Sequence, residues 1–448
     1  MSLSDRQRDD LNRAILQYLD THNLHAASSA LKQDLQLDPS SLPLDDKYNG
    51  LLEKKWTSVI RLQKKILVLE QTLAELRDSI PSYTSASAAL HPSKQDLTAW
   101  IPRAPARHAL SGHQAPITGV AFHPIFSVLA TASEDCTLKI WDFETGDFER
   151  TLKSHTKAVT CIDFSPAWTK GDGESAILLA SASNDLTIKL WDPENAYTCI
   201  RTLHGHDHVV SSVKFIHGQP HHLASASRDR SIRIWDVQSG FCIRTLSQAH
   251  TDWIRQIAPS LTGDGSLMTA SSDGAAKWLD GTSGECRMTF SGHGHVVECC
   301  SWAPKRALKA CCELAGQAYR ASDQPVFCAT GSRDKLIKIW DGRSGRCIAT
   351  LAGHDNWIRA VVWHPDGRYV LTASDDKAIK VWDLAAGGRC CRTITEAHGH
   401  FVSCLAWGLS KDQASYEQQE SSEAANTGKG RYVLASGGVD QMVKVWMP

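Results

Sequence analysis

An all-β, seven-bladed propeller preceded by an α-helical N-terminal region is what this sequence predicts, on three observations. First, a ten-residue pattern recurs: SRDRSIRIWD from Ser227, SRDKLIKIWD from Ser332 and SDDKAIKVWD from Ser374. Second, a His and an Asp return in the same order seven times, with a Trp six residues beyond the Asp in six of the copies. The His series is His113, His155, His206, His250, His293, His354 and His398, and the Asp series is Asp135, Asp185, Asp229, Asp273, Asp334, Asp376 and Asp440. The Trp slots are Trp141, Trp191, Trp235, Leu279, Trp340, Trp382 and Trp446. Third, His and Trp stand 28 or 29 residues apart in the uninterrupted copies, room for three short strands and two turns. Those strands alternate, as in Thr187-Ile188-Lys189-Leu190-Trp191, the pattern of a half-buried sheet. A fourth strand after the Trp completes a blade, and because a blade cannot bury both faces alone, seven must stack around an axis.

The chain has 448 residues, enough for a large core and additional elements. With 48 Lys+Arg against 49 Asp+Glu its net charge is −1, so neither nucleic acid nor a membrane surface is an expected partner. There are 14 Cys, yet no Cys-x-x-Cys and no signal peptide, and Cys161, Cys299 and Cys404 fall at apolar strand positions. No apolar run approaches the ~18–20 residues that span a bilayer. The expectation is a soluble, cytosolic protein without membrane insertion.

Residues 5–36 read as two helices. Leu11, Ile15, Leu16, Tyr18 and Leu19 form one apolar face, Asn23 suits a cap, and Leu24, Ala27, Leu31 and Leu35 follow at helical spacing. Such short helices cannot fold alone, so they pair with another copy or dock on the propeller. The pattern Ala14-Ile15-Leu16-x-Tyr18-Leu19, then Leu24, Ala27 and Leu31, resembles the LisH dimerisation motif, which implies a four-helix bundle of two copies over residues 1–40. From Leu52 the apolar residues fall at heptad positions: Leu52, Val59, Ile66, Leu73 and Ile80 at a, and Leu62, Leu69 and Leu76 at d. Branched residues at a with Leu at d favour a parallel two-stranded coiled coil over 52–80, about 40 Å long; a single helix lying on the propeller is the alternative. Pro81 ends the helix, and the Ser/Ala/Pro-rich stretch 81–104 reads as a flexible linker.

The propeller is expected over 105–448. Its landmarks resemble the WD-repeat family, in which His, Ser/Thr, Trp and Asp form a hydrogen-bonded tetrad within each blade. By that resemblance the hydroxyls are Ser133, Ser183, Ser227, Ser271, Ser332 and Ser374, with Gly438 in the seventh copy. Blades four and seven, with Leu279 and Gly438, are therefore expected to rest on packing more than on the tetrad. The third strand of the last unit holds Trp446, and Arg107–Ser111 should supply its missing outer strand, closing the ring and removing an exposed edge. Insertions at 171–175, 305–325 and 410–430 fall between the first and second strands of blades two, five and seven, on one face of the disc.

No nucleophile elbow, P-loop or dinucleotide fingerprint is present, and the alternating His204, His206 and His208 lack the partners of a metal site. No cofactor is expected and the chain does not read as an enzyme. The informative residues are those that differ between blades. Preceding the Asp stand Glu134, Asn184, Arg228, Ser272, Arg333, Asp375 and Val439; following it stand Cys136, Leu186, Arg230, Gly274, Lys335, Lys377 and Gln441. Three past the His come Pro116, Ala158, Val209, Trp253, Val296, Trp357 and Phe401, and five past it Thr118, Thr160, Ser211, Arg255, Glu298, Arg359 and Ser403. Basic and aromatic residues collect on blades three to six, the composition of a hot spot for an acidic, partly apolar partner.

LisH, coiled coil and seven WD blades, with Gly353-His354-Asp355-Asn356-Trp357-Ile358-Arg359 and Ala397-His398-Gly399-His400-Phe401-Val402, resemble the lissencephaly/nuclear-distribution family of cytoplasmic dynein regulators. The resemblance implies a homodimer that binds the dynein heavy chain motor domain through one propeller face. The motor-contacting residues it carries over are Arg228, Arg255, Arg333, Trp357 and Lys377. Dimerisation would rest on Leu11, Ile15, Tyr18, Leu19 and Leu31 in the LisH helices and on Val59, Leu62, Ile66, Leu69, Leu73 and Leu76 in the coiled coil. It further implies coiled-coil nuclear-distribution adaptors as partners, and a place in the cytoplasm and cytoskeleton, at microtubule plus ends and the spindle pole. A general WD scaffold, such as a ubiquitin-ligase substrate receptor, is the rival reading; no ligase-docking motif is found.

Overall fold

The computed structural model describes residues 15, 16, 19 and 100–448, apart from 167, 170–174, 220, 317–325 and 411–430. The chain divides into two units, Met1–Pro92 and Ser93–Pro448. In the first, Ile15, Leu16 and Leu19 are helical and Leu16 is fully buried. The other proposed dimer contacts, the coiled coil over 52–80 and the insertion at 411–430 lie outside the described residues.

The second unit is a ring of seven four-stranded antiparallel sheets among the described residues. The first blade runs Ile117–Phe122, Val128–Ser133, Thr137–Asp142 and Phe148–Lys153 from axis to rim. Inner strands of the following blades are Val159–Phe164, Val210–Phe215, Ile254–Pro259, Val297–Trp302, Ile358–Trp363 and Val402–Ser410. Second strands such as Leu179–Ser183 are buried at every residue, because each is covered by blades on both sides. The core is accordingly a series of interblade clusters; Leu190, Val213, Phe215 and Trp235, for example, join blades two and three.

Ring closure is as the sequence implies. His108–Ser111 pairs antiparallel with Met442–Trp446, with His108 opposite Val445 and Ser111 opposite Met442. Leu110 is buried in that ladder, and the amide of Arg107 donates to the Val445 carbonyl at 2.8 Å.

Two segments are more structured than the sequence suggests. The tail of the expected linker is docked: Trp100 and Ile101 pack on the cluster of blades six and seven, with the Trp100 ring edge-on to Trp407 at 6.3 Å. The Trp100 carbonyl accepts from His364 Nε2 at 2.9 Å, and Arg392 Nη1 donates to the carbonyls of Ile101 and Pro102. The insertion at 305–325 begins with a 3-10 turn, Lys305–Ala307, and a helix, Leu308–Leu314, whose Leu308, Ala310, Cys311 and Cys312 are buried. Gly367, at φ +80°, passes so close to Ala307 that a Cβ would collide with its backbone. The helix is therefore wedged against the turn of blade six. The insertion near 171–175 includes a two-stranded ladder, Trp168–Thr169 with Ser175–Ala176. The described parts of the insertions near 171–175 and 305–325 follow first strands, on the face opposite the His and Asp turns.

Candidate functional site

The blade interior decides where the surface residues point. In blade one, His113 Nδ1 lies 2.8 Å from Asp135 Oδ2, and its Nε2 is 2.9 Å from Thr131 Oγ1. Burial lowers the His113 pKa despite its Asp135 hydrogen bond, so the ring is neutral. Nδ1–H then donates to the carboxylate, and Nε2 accepts from the hydroxyl. That hydroxyl oxygen accepts in turn from Trp141 Nε1–H at 2.9 Å.

The tetrad hydroxyl is thus Thr131, two residues before the Ser133 expected from the sequence. The corrected series, Thr131, Ser181, Ser225, Thr269, Thr330, Thr372 and Ser436, is complete in all seven blades. The expected serines serve the turn instead: Ser133 Oγ accepts from the Asp135 amide and donates to the Ala115 carbonyl. Blade seven therefore has a whole tetrad, with Trp446 Nε1 donating to Ser436 at 3.0 Å, and Gly438 is no lapse in it. Blade four keeps His250, Asp273 and Thr269, with Leu279 buried in the indole slot. Its Trp278 faces the neighbouring blade, edge-on to Trp302 at 5.4 Å and under the Arg287 guanidinium.

Each His–Asp bond ties a connection between blades to a turn within one, so these loops share a face. Arg228, Arg255, Arg333, Trp357 and Lys377 all stand on it, across blades three to six. The guanidinium carbons of Arg228 and Arg255 lie 5.0 and 5.4 Å from the Trp253 ring centroid. Arg333 and Arg359 lie 4.3 and 5.2 Å from that of Trp357. Cation–π geometry of this kind fixes the guanidinium planes before any partner arrives.

Two acids hold one half of the cluster. Arg333 Nε donates to Glu298 Oε1, and Arg359 makes a bidentate pair with Asp375 at 2.8 and 2.9 Å. Asp375 is almost wholly buried. In the other half Arg255 Nε donates to a neutral group, Ser272 Oγ, at 2.8 Å. Burial lowers the Arg255 pKa, Glu298 opposes that, and the charges of Arg333, Arg228 and Arg359 add to the lowering. Lys377 is exposed on the turn beyond Asp376, with a left-handed backbone. Trp253, Arg359, Glu298 and Asp375 stand at positions that differ between blades, but the sequence alone does not assign them to the site. The contacts of Trp253 with Arg228, of Trp357 with Arg333 and of Glu298 with Arg359 cross blade boundaries and become visible only in three dimensions.

Among the described residues no helix is long and apolar enough to cross a membrane. The WD domain, G-beta repeat model matches residues 105–142, 146–192, 197–236, 284–341 and 345–383, and the PAC1 LisH domain model matches 5–40. Blades four and seven are passed over by the repeat model, although the structure forms both. The chain is 48% identical over 478 aligned residues to nuclear distribution protein PAC1 of Coccidioides posadasii, covering 99% of each chain. It is 44% identical to PAC1 of Arthroderma benhamiae and to nuclear distribution protein nudF 1 of Talaromyces marneffei, again over 99% of each chain. With a LisH segment, a closed WD propeller and end-to-end similarity of this degree, the chain belongs to the PAC1 family of nuclear distribution proteins.

Proposed function

We propose that this protein is a non-catalytic regulator of cytoplasmic dynein, the minus-end-directed microtubule motor, and that it binds the motor domain through the arginine–tryptophan face. The observation that carries the reading is the convergence of Arg228, Arg255, Arg333 and Trp357 on adjacent blades, with guanidiniums held over indoles. Aromatic and Arg anchors in one partly desolvated patch are the composition of an interface hot spot. The nuclear distribution names of its relatives support a role in nuclear migration. Spindle positioning, microtubule-based transport, coiled-coil nuclear-distribution adaptors and residence at microtubule plus ends and the spindle pole complete the proposal.

Regulation here needs no chemistry. A propeller that prefers one conformation of the motor shifts its equilibrium by the difference in affinity. Two propellers joined through LisH residues 1–40 and a coiled coil over 52–80 would add avidity, or engage two motor heads.

Retention of the dynein motor domain by the full-length chain is the test. Arg333→Ala and Trp357→Ala are each expected to weaken retention about 10- to 100-fold. Unchanged retention in both would remove the face from the proposal, and failure of the unaltered chain to retain the motor would favour a general WD scaffold. Oligomeric state is checked separately, by sedimentation of the full chain at micromolar concentration. Twice the monomer mass is expected, falling towards the monomer mass in Ile15→Asp; a monomeric unaltered chain would sink the dimer.

A further inference from the structure

The face opposite the His and Asp turns is polarised in charge. It carries the connections from first to second strands and the turns from third to fourth strands. Two residues past the Asp that ends each third strand stand Glu144 and Glu194 in blades one and two, but Arg343 in blade five. Where the fourth strand begins, blade one has Asp147 and blade four Glu285, whereas blades five and six have Arg346 and Arg389. The insertion of blade five adds Lys305, Arg306 and Lys309, all exposed. Packing joins these cations into one patch. Leu308 and Cys311 of the insertion share a cluster with Leu351 of the blade five outer strand and Leu384 of the blade six turn. The Gly342 amide donates to the Val326 carbonyl at 2.6 Å, which pins the Arg343–Arg346 turn to the end of the insertion. Nearby, Arg368 is held by Asp383 at 2.6 Å, and Asp341 is buried and accepts from Ser344 Oγ. Lys305, Arg306, Lys309, Arg346 and Arg389 have no such acid partner among the described residues. Glu313 and Asp366 are the remaining acids of these segments, so cations are in excess.

We infer that this patch over blades five and six is a second docking surface, on the side away from the arginine–tryptophan face, for an acidic and unstructured segment of a protein partner. The chain as a whole carries a net charge of −1, so the patch is a local concentration and no by-product of overall basicity. Exposed Lys and Arg without fixed partners suit a flexible run of carboxylates, which needs no shaped pocket and is drawn in by charge alone. Other polyanions fit less well. The large exposed apolar side chains, such as Phe126, Phe241 and Leu261, stand on other blades. A bilayer-docking surface sets apolar residues to insert beside its cations. Single-stranded nucleic acid stacks on aromatic rings, and a duplex needs a longer basic track. An acidic polypeptide needs none of these. Glu144, Asp147 and Glu194, across the ring on the same face, repel such a segment and confine it to blades five and six.

The experiment follows a short fluorescent poly-L-glutamate by anisotropy as the full chain is titrated in, from about 50 to about 300 mM salt. Lys305→Glu, Arg306→Glu and Lys309→Glu combined are expected to weaken binding about tenfold or more at low salt and to flatten the salt dependence, with the melting temperature unchanged. Arg346→Gln combined with Arg389→Gln lies on separate elements and is expected to weaken binding about three- to tenfold, which keeps the test decisive should the first variant misfold. Binding lost in Arg333→Ala and Trp357→Ala but indifferent to both patch variants would put the polyanion on the other face and overturn the inference. So would a preference of the patch for duplex DNA or for phosphatidylserine vesicles over poly-L-glutamate. Absence of poly-L-glutamate binding below about millimolar concentration at about 50 mM salt would overturn it outright. The motor takes no part in these titrations, so patch-dependent binding in a chain that fails to retain the motor would still support this second surface.

Discussion

Acidification from pH 7 to about pH 2 is expected to unfold the disc cooperatively, the largest change that any solvent condition short of denaturant should produce. The cause is the set of seven His–Asp pairs. Burial alone would raise the Asp334 pKa, yet the hydrogen bond and charge of His293 and the amides of Leu336 and Gly294 bring it down to about 2. The same opposition lowers Asp135, Asp185, Asp229, Asp273, Asp376 and Asp440. A carboxylate whose folded pKa lies below its unfolded value adds stability that is fully present above about pH 4 and is lost as pH falls through the folded value. With allowance for solvent screening each pair contributes about 1–2 kcal/mol, and the sum over seven blades rivals the whole stability of a domain. Urea midpoints measured from pH 7 down to pH 3 should fall steeply below about pH 4. Asp334→Asn should be clearly less stable than the unaltered protein at pH 7, with the gap closing on acidification. A midpoint that stays flat to about pH 3 would rule this account out.

Replacing a tetrad tryptophan should have the largest effect of any single substitution. Trp382 is 2% exposed, and its Nε1 donates to Thr372 Oγ1 at 2.9 Å. Trp382→Ala removes the indole from a filled interblade layer and is expected to cost about 3–5 kcal/mol. Trp382→Phe keeps most of the ring volume and loses the donor, for about 1 kcal/mol. Denaturant midpoints at unchanged slope would separate the two. Equal damage from both would mean that the hydrogen bond, and not the packing, holds the blade. Blade four already speaks for packing: Leu279 fills the slot with no donor, and its four strands still pair, with bulges at the same places as in blade three.

The ring, its blade number and its closure were readable from the sequence because they are periodic, and periodicity survives local exceptions. The tetrad hydroxyl was misplaced by two residues for a physical reason. Thr131 and Ser133 lie on the same face of one strand, so alternation cannot separate them. A better signal was present: the earlier position carries a hydroxyl in every copy, whereas the later one lapses at Gly438. The five face residues could be found because loop positions are equivalent from blade to blade. Their pairing could not, since Glu298 of blade five holds Arg333 of its own blade and also approaches Arg359 of the next. The docked Trp100 was hidden by its setting, a low-complexity stretch whose last residues find an aromatic niche built by Trp407 and His364.

The closing ladder also dictates an order of events during synthesis. His108 emerges from the ribosome early, and its strand must wait for Val445 before it acquires a ladder partner. Until then six blades can condense one upon another, but the nascent disc stays open on both flanks, with unpaired strand edges. Completion is thus a late, long-range event, governed by loop-closure entropy more than by local strand propensity.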